Sequence, residues 1–277
     1  MLLLLAGLTL QGTDTTVAVR PGARLNLDNF EGDVVVTTWS RSVIRVQATH
    51  DDDTRVAVDV TGGTVGVRGR SRYGPPEVEY RLTVPADMNL EISTHSGDVS
   101  IDGTRGEVDV QTTEGTVTVA GGSGRISLRS VEGEITLTGA SGRISLSAVD
   151  GDVTVRGARG TLEINAVDGA IRLEDIDATT VEATTVDGEI DFAGAIRDGG
   201  SYRLSSHDGN VTVTAPAIDA VVSVSSYEGD FDSDFPVTLT GNASRKRFNF
   251  TLGSGRARLE LESFDGTVAL RKGPGRR

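Results

Sequence analysis

The residues in this chain best able to do chemistry are its carboxylates, and they recur. Glu114, Glu132, Asp150, Asp168, Asp187, Asp208 and Glu228 each stand directly before a glycine; Asp98, Glu134, Asp152, Glu189 and Asp230 each follow one. Stacked in register, the two sets form two carboxylate ladders along one edge, the second interrupted. Like charges at that spacing repel, so calcium held by Asp150, Asp152, Asp168 and Asp187 is one reading of the pattern. The other is conformational. Asp-Gly is a favoured turn pair, glycine supplies positive φ, and the acids are then simply solvated. The uniformity of the pattern favours the turn. It also differs from what a glycosidase needs, a carboxylate pair at a defined gap with one pKa raised. A carbohydrate-active enzyme is therefore the alternative function, and no catalytic or cofactor-binding residue is assigned.

The other reactive residue types add little. Of the three histidines, His95 and His207 lie two residues before a recurring glycine, where other copies of the pattern carry Val131, Val149, Val167, Val186, Tyr227 or Phe264. That slot reads as a packing corner, with histidine as a part-buried substitute, and no zinc site or triad follows. The chain has no cysteine, which excludes disulfides, thiolate metal sites and a thiol nucleophile.

What positions these residues is a repeat. Gly97, Gly115, Gly133, Gly151 and Gly169 are spaced by 18 residues; Gly188, Gly209 and Gly229 follow at steps of 19, 21 and 20. Gly266 lies 37 further on, and Gly32 is an early outlier in "FEGDVVV". A second glycine (Gly106, Gly124, Gly142, Gly160) falls nine residues after an anchor, so each repeat is strand, turn, strand, turn. Within a strand the sides alternate: Val153 and Val155 point one way, Asp152 and Thr154 the other. Apolar pairs at nine-residue intervals exclude the left-handed hexapeptide helix, which buries an aliphatic at every sixth position. Ile126 in "GGSGRISLRS" stands where the calcium-binding nonapeptide roll requires aspartate. One repeat cannot bury its apolar face alone, whereas stacked repeats share a core. The expected fold is all-β: a single-stranded parallel β-solenoid (β-helix) of about 18 residues per coil with two short strands each, right-handed favoured. About nine coils would make a rod of roughly 40–45 Å.

Around this core the expected organisation is a signal-peptide remnant at 1–12, an irregular β cap with wider rungs at 13–96, regular coils at 97–270 and a disordered basic tail at 271–277. The opening "MLLLLAGLTLQG" has the apolar character of a secretory signal without its positive start, and no segment is long and apolar enough to span a membrane. Strands are expected near 15–19, 24–28, 33–37, 43–48, 54–60, 64–68 and 77–84, and "GRSRYGPP" at 69–76 as a mobile excursion. Five of the seven phenylalanines lie between 231 and 264, which points to a broader terminal core. The net charge of −13 and the lack of a basic cluster before the tail point away from nucleic acid.

With its "VDGDVTV"-type rungs, the segment "EVEYRLTVPADMNLEISTHSGDVSI" at 77–101 and the closing "FTLGSGRARLELESFDGTVAL" at 250–270, the chain resembles the bacterial putative-adhesin family of β-strand-repeat proteins of unknown function over roughly residues 25–270. The resemblance implies an exported or envelope-associated protein without known catalytic residues. The expected function is thus non-catalytic: an exported cell-envelope protein of the periplasm, cell surface or exterior, acting in adhesin-like binding or as a scaffold. Its expected partner is an envelope component, a surface polysaccharide or a protein, with self-association as a further reading.

Overall fold

A computed structural model describes residues 11–237 and 247–274. The first ten residues of the expected signal remnant and the last three of the tail lie outside the described residues; Arg271 and Lys272 complete the last strand. Among the described residues no helix is long and apolar enough to cross a membrane.

The chain forms strands throughout. The N-terminal ones are β1 (Gln11–Ala18), β2 (Arg24–Glu31), β3 (Val34–Trp39), β4 (Val43–His50), β5 (Thr54–Thr61), β6 (Thr64–Ser71), β7 (Val78–Pro85), β8 (Asn89–Ser96) and β9 (Val99–Thr104). The middle holds β10 (Val108–Glu114), β11 (Val117–Gly121), β12 (Ser123–Glu132), β13 (Ile135–Thr138), β14 (Ser141–Asp150), β15 (Val153–Arg156), β16 (Arg159–Asn165) and β17 (Ile171–Asp187). The last are β18 (Ile190–Gly194), β19 (Ser201–Asp208), β20 (Val211–Ala215), β21 (Ala220–Ser226), β22 (Phe231–Ser233), β23 (Arg247–Leu252), β24 (Ala257–Asp265) and β25 (Val268–Lys272).

Two faces result. One runs β1-β4-β7-β3-β9-β11-β13-β15-β17-β18-β20-β25-β22. The other runs β5-β6-β2-β8-β10-β12-β14-β16-β17-β19-β24-β21-β23. The long β17 rounds a corner and serves both faces. Between them lies one core, because strand alternation turns every second side chain inward. Ile126, Leu128, Ile135, Leu137, Ile144, Leu146, Val153, Val155, Leu162 and Ile164 are all fully buried in it.

This architecture overturns the expected single-stranded parallel, right-handed β-solenoid. The pairing is mixed: β1–β4, β4–β7, β5–β6 and β21–β23 are antiparallel. Nor does spatial order follow the chain. The β2/β3 rung sits between β6/β7 and β8/β9, so Gly32 stacks directly on Gly97. At the other end β24/β25 inserts between β19/β20 and β21/β22, placing Gly266 on Gly209 with Gly229 outside it. The interval of 37 residues before Gly266 is therefore not two more coils. Within it β23 pairs antiparallel with β21 at the end of one face, and β24/β25 returns into the sheet. Antiparallel strands occupy three of the four end positions, β1, β5 and β23, while the fourth, β22, pairs in parallel with β25. In the middle, β10 through β16 do pair in parallel at the 18-residue step, for example Ile126 on Ile144.

All seven strands expected before residue 85 are present, with shifted ends. Gly69, Arg70 and Ser71 of the expected excursion belong to β6, opposite Val56, Arg55 and Thr54. Of the C-terminal phenylalanines, Phe231, Phe248 and Phe250 cluster at 5.6–6.0 Å, while Phe264 points out to solvent.

The returning loop has its own anchor. The Asp219 carboxylate accepts the amides of Ser254 (2.8 Å), Gly255 (2.7 Å) and Arg256 (3.2 Å) and pairs with Arg256 Nε at 2.7 Å. The Arg256 guanidinium and these amides hold the carboxyl well below the usual carboxylate range. A depressed folded-state pKa contributes stability that is present above the unfolded value, roughly 3.9, and is lost as pH falls through the folded one. Asp219→Asn is accordingly expected to lower Tm at neutral pH and to flatten the fall of Tm below about pH 4. A wild-type acid limb in this variant would show that Asp219 is not responsible.

Candidate functional site

The corner that carries the anchor glycines is where the sequence placed its candidate chemistry. It is built from five successive positions repeated on every rung.

Three residues before each anchor glycine the side chain is buried and small: Asn29, Thr94, Thr112, Ser130, Ala148, Ala166, Thr185, Ser206, Ser226 and Ser263. Several hydroxyls donate to the glycine carbonyl of the adjacent rung, as Ser206 does to Gly188 (2.8 Å) and Ser263 to Gly209 (2.9 Å). Sequence reasoning passed over this ladder, although the small-residue choice recurs on every rung.

The next position faces outward. Val131, Val149, Val167 and Val186 are 44–48% exposed, and Phe30, Phe264 and Tyr227 are 41–52% exposed. The reading of this slot as a packing corner is thus corrected: the buried residue is its neighbour, one position earlier. In spatial order the slot holds Phe30, His95, Thr113, the four valines, His207, Phe264 and Tyr227, a mostly apolar ridge running from the β2/β3 rung to the β21/β22 rung. Its ends are aromatic. Phe30 lies 4.9 Å from His95, and Phe264 stacks between His207 (4.8 Å) and Tyr227 (5.2 Å). On the surface, His207 is therefore ring-stacked on Phe264 and His95 is tilted against Phe30. His50, by contrast, is buried between the Thr13 hydroxyl (3.1 Å) and the Asp51 carbonyl (2.8 Å).

Beside the ridge runs the first carboxylate ladder, in register: Glu114 on Glu132, Glu132 on Asp150, Asp150 on Asp168, Asp168 on Asp187, Asp187 on Asp208 and Asp208 on Asp265. Asp150, Asp168 and Asp187 are exposed. Asp152 belongs to the second set, and that set does different work. Its carboxylate accepts the Ala170 amide of the next rung (2.8 Å) and pairs with Arg172 at 2.5 Å, which lowers its pKa. Asp98 likewise accepts the Thr116 amide, and Asn210 that of Thr267, each at 2.8 Å. The four residues considered for calcium are thus split between an exposed ladder and a rung-to-rung tie. Among the described residues no three of His, Asp or Glu are grouped so as to hold a metal ion.

What the arrangement offers is a long contact surface, an apolar ridge flanked by negative charge. Solved structures are similar to the chain at low identity. One of a "putative adhesin" from Parabacteroides distasonis is 11% identical, with 94% of this chain and 97% of that one covered and a TM-score of 0.51. A "putative adhesin" from Bacteroides fragilis is 13% identical over 94% and 97%, with a TM-score of 0.46. A "putative lipid binding protein" from P. distasonis is 11% identical over 94% and 96%, with a TM-score of 0.37. No curated protein matches the chain. The family description "Toastrack DUF4097" matches residues 23–271, the whole of the stacked sheet from the strand before Gly32 to the one after Gly266, and the chain belongs to that family.

Proposed function

We propose that the chain is a non-catalytic bacterial binding or scaffolding protein, exported to the cell envelope, that engages its partner through the ridge. The observation carrying this reading is the ridge itself. Large apolar side chains are held in water on successive rungs, a cost to solubility that a contact surface explains. The adhesin description of the P. distasonis structure agrees by analogy of fold alone.

Fractionation of the native cell, followed by cross-linking and pull-down from envelope material, tests the reading. The protein is expected in an envelope or secreted fraction. A Val131→Ser/Val149→Ser/Val167→Ser variant is expected to retain the wild-type stability to within about 0.5 kcal/mol per site and to lose the captured partner. Recovery in the cytosol, or capture of the same partners by wild type and variant, would overturn the proposal.

A further inference from the structure

The corner opposite the ridge gathers arginines from four successive rungs. Arg105 lies in the turn after β9, and Arg125, Arg143 and Arg159 lie at the starts of β12, β14 and β16, all exposed. Arg125 lies in register on Arg143, and Ser141 on Arg159. The in-register guanidiniums of Arg125 and Arg143 repel each other, Arg105 and Arg159 lie offset from them on the flanking rungs, and none of the four forms an ion pair among the described residues, unlike Arg129, Arg156 and Arg197 nearby; the acids beside them are Glu107, next to Gly124, and Asp177, in register on Arg159. The row spans three rung spacings, about 14 Å.

At its head is a cavity of about 310 Å³ lined by Trp39, Arg20, Arg41 and Arg105, with Asp87 as its one acid. Backbone contacts fix these walls together: Val19 N–H donates to Ser42 O (3.0 Å), Ala86 to Trp39 (3.3 Å) and Arg105 to Ala86 (2.6 Å). Trp39 is pinned by its indole N–H to the Val43 carbonyl at 2.7 Å, and it holds the Arg41 guanidinium 5.2 Å from its ring centroid. That contact pre-orients a guanidinium against the ring, which reduces the ordering cost of binding an anion.

We infer that this arginine-lined cavity and the row leading from it are a binding site for an anionic polysaccharide, one bearing a carboxylate or phosphate group on its repeating unit. Guanidinium matches both groups in planar, bidentate geometry. The repeat of the row, one rung after another, matches a polymer rather than a single ion. A nucleic acid fits less well, since single-stranded binding uses successive aromatic platforms for its bases and Trp39 is followed by arginine, glycine and serine. The inference rests on the chain being a binding protein but not on its location, so purified protein tests it apart from fractionation.

Trp39 is the only tryptophan, and its fluorescence therefore reports on the cavity. The full chain is titrated at low ionic strength with polygalacturonate, with poly(glycerol phosphate) and with neutral dextran. A saturable fluorescence change is expected with at least one polyanion and none with dextran; the tighter polyanion identifies the anionic group. Arg41→Ala/Arg105→Ala is expected to weaken binding about tenfold. Arg125→Ala/Arg143→Ala, which leaves the surroundings of Trp39 intact, is expected to weaken it about threefold. Circular dichroism checks that both variants fold. Silence with both polyanions, an equal response to dextran, undiminished affinity in both variants, or tighter binding of a single-stranded oligonucleotide would overturn the inference.

Discussion

Gly151→Ala is expected to destabilise the protein by about 2–6 kcal/mol, of which about 1–3 comes from forcing a side chain into a backbone region reserved for glycine and about 1–3 from overpacking. Gly151 has φ +144°, and a Cβ there would stand 2.5 Å from the Gly133 carbonyl oxygen and 2.7 Å from its carbon. The obstacle is backbone, so no side chain can swing aside. Gly133 is held in turn by its own neighbour, since a Cβ on it would stand 2.4 Å from Gly115 O, and a Cβ on Gly169 would stand 2.4 Å from Gly151 O. Relief at one rung therefore moves the next. Gly139 provides the comparison within the same molecule. Its φ is +67°, yet a Cβ would meet nothing within 4 Å, so Gly139→Ala carries only the conformational cost, about 1–2 kcal/mol. Asp175, one repeat beyond Gly157 in the same left-handed slot (φ 53°), shows that this turn tolerates a side chain. Urea denaturation of the two variants should rank them clearly. Equal losses would mean that contact between glycine corners does not limit the stack.

The same contrast explains how far the sequence could be read. The anchor glycines, the aliphatic pairs and the strand positions follow from local chemistry: a positive φ needs glycine, and a two-residue period needs one buried face. The outer acids also stand in the expected register. Rung order is different in kind. Gly32 and Gly97 carry the same local signal as neighbours 18 apart, and nothing in "FEGDVVV" says that another rung is threaded outside it. The antiparallel end strands were likewise invisible, because alternation specifies a face but not a partner or a direction. The ridge was misread for a local reason. Val149 and Val167 are apolar, and the buried place was given to them rather than to Ala148 and Ala166 one residue earlier, although a rung that bends at the glycine has room inside only for the small side chain. The basic corner is not legible locally because its arginines occur one per repeat along the chain. Only stacking gathers Arg105, Arg125, Arg143 and Arg159 into a row.

Tyr202→Ala is expected to cost about 3–5 kcal/mol, the usual range for deleting a buried aromatic. Tyr202 occupies the inward column that holds Val181 on one neighbouring strand and Leu259 on the other. An aromatic fits there because the repeat lengthens: 21 residues separate Gly188 from Gly209, and the extra chain at 195–200 widens the rung. The ring is 1% exposed and meets Phe192 edge-on at 5.7 Å. Its hydroxyl donates to the Ala178 carbonyl at 2.8 Å and accepts the Arg197 amide at 2.8 Å, fastening the added loop to β17. Burial raises its pKa, so the group remains a donor through the neutral range. Tyr202→Phe keeps the ring and removes both bonds, taking a partner from the buried Ala178 carbonyl and from the part-buried Arg197 amide, at a cost of about 1–3 kcal/mol. The two variants separate filling from fastening. If Tyr202 fastens the loop, the Phe variant should show faster amide exchange at Arg197 while core amides such as Leu204 change only with global stability. If Phe matches wild type in both stability and Arg197 exchange, the longer repeat is held by packing alone, and the tyrosine hydroxyl is incidental to how the stack accommodates its irregular rungs.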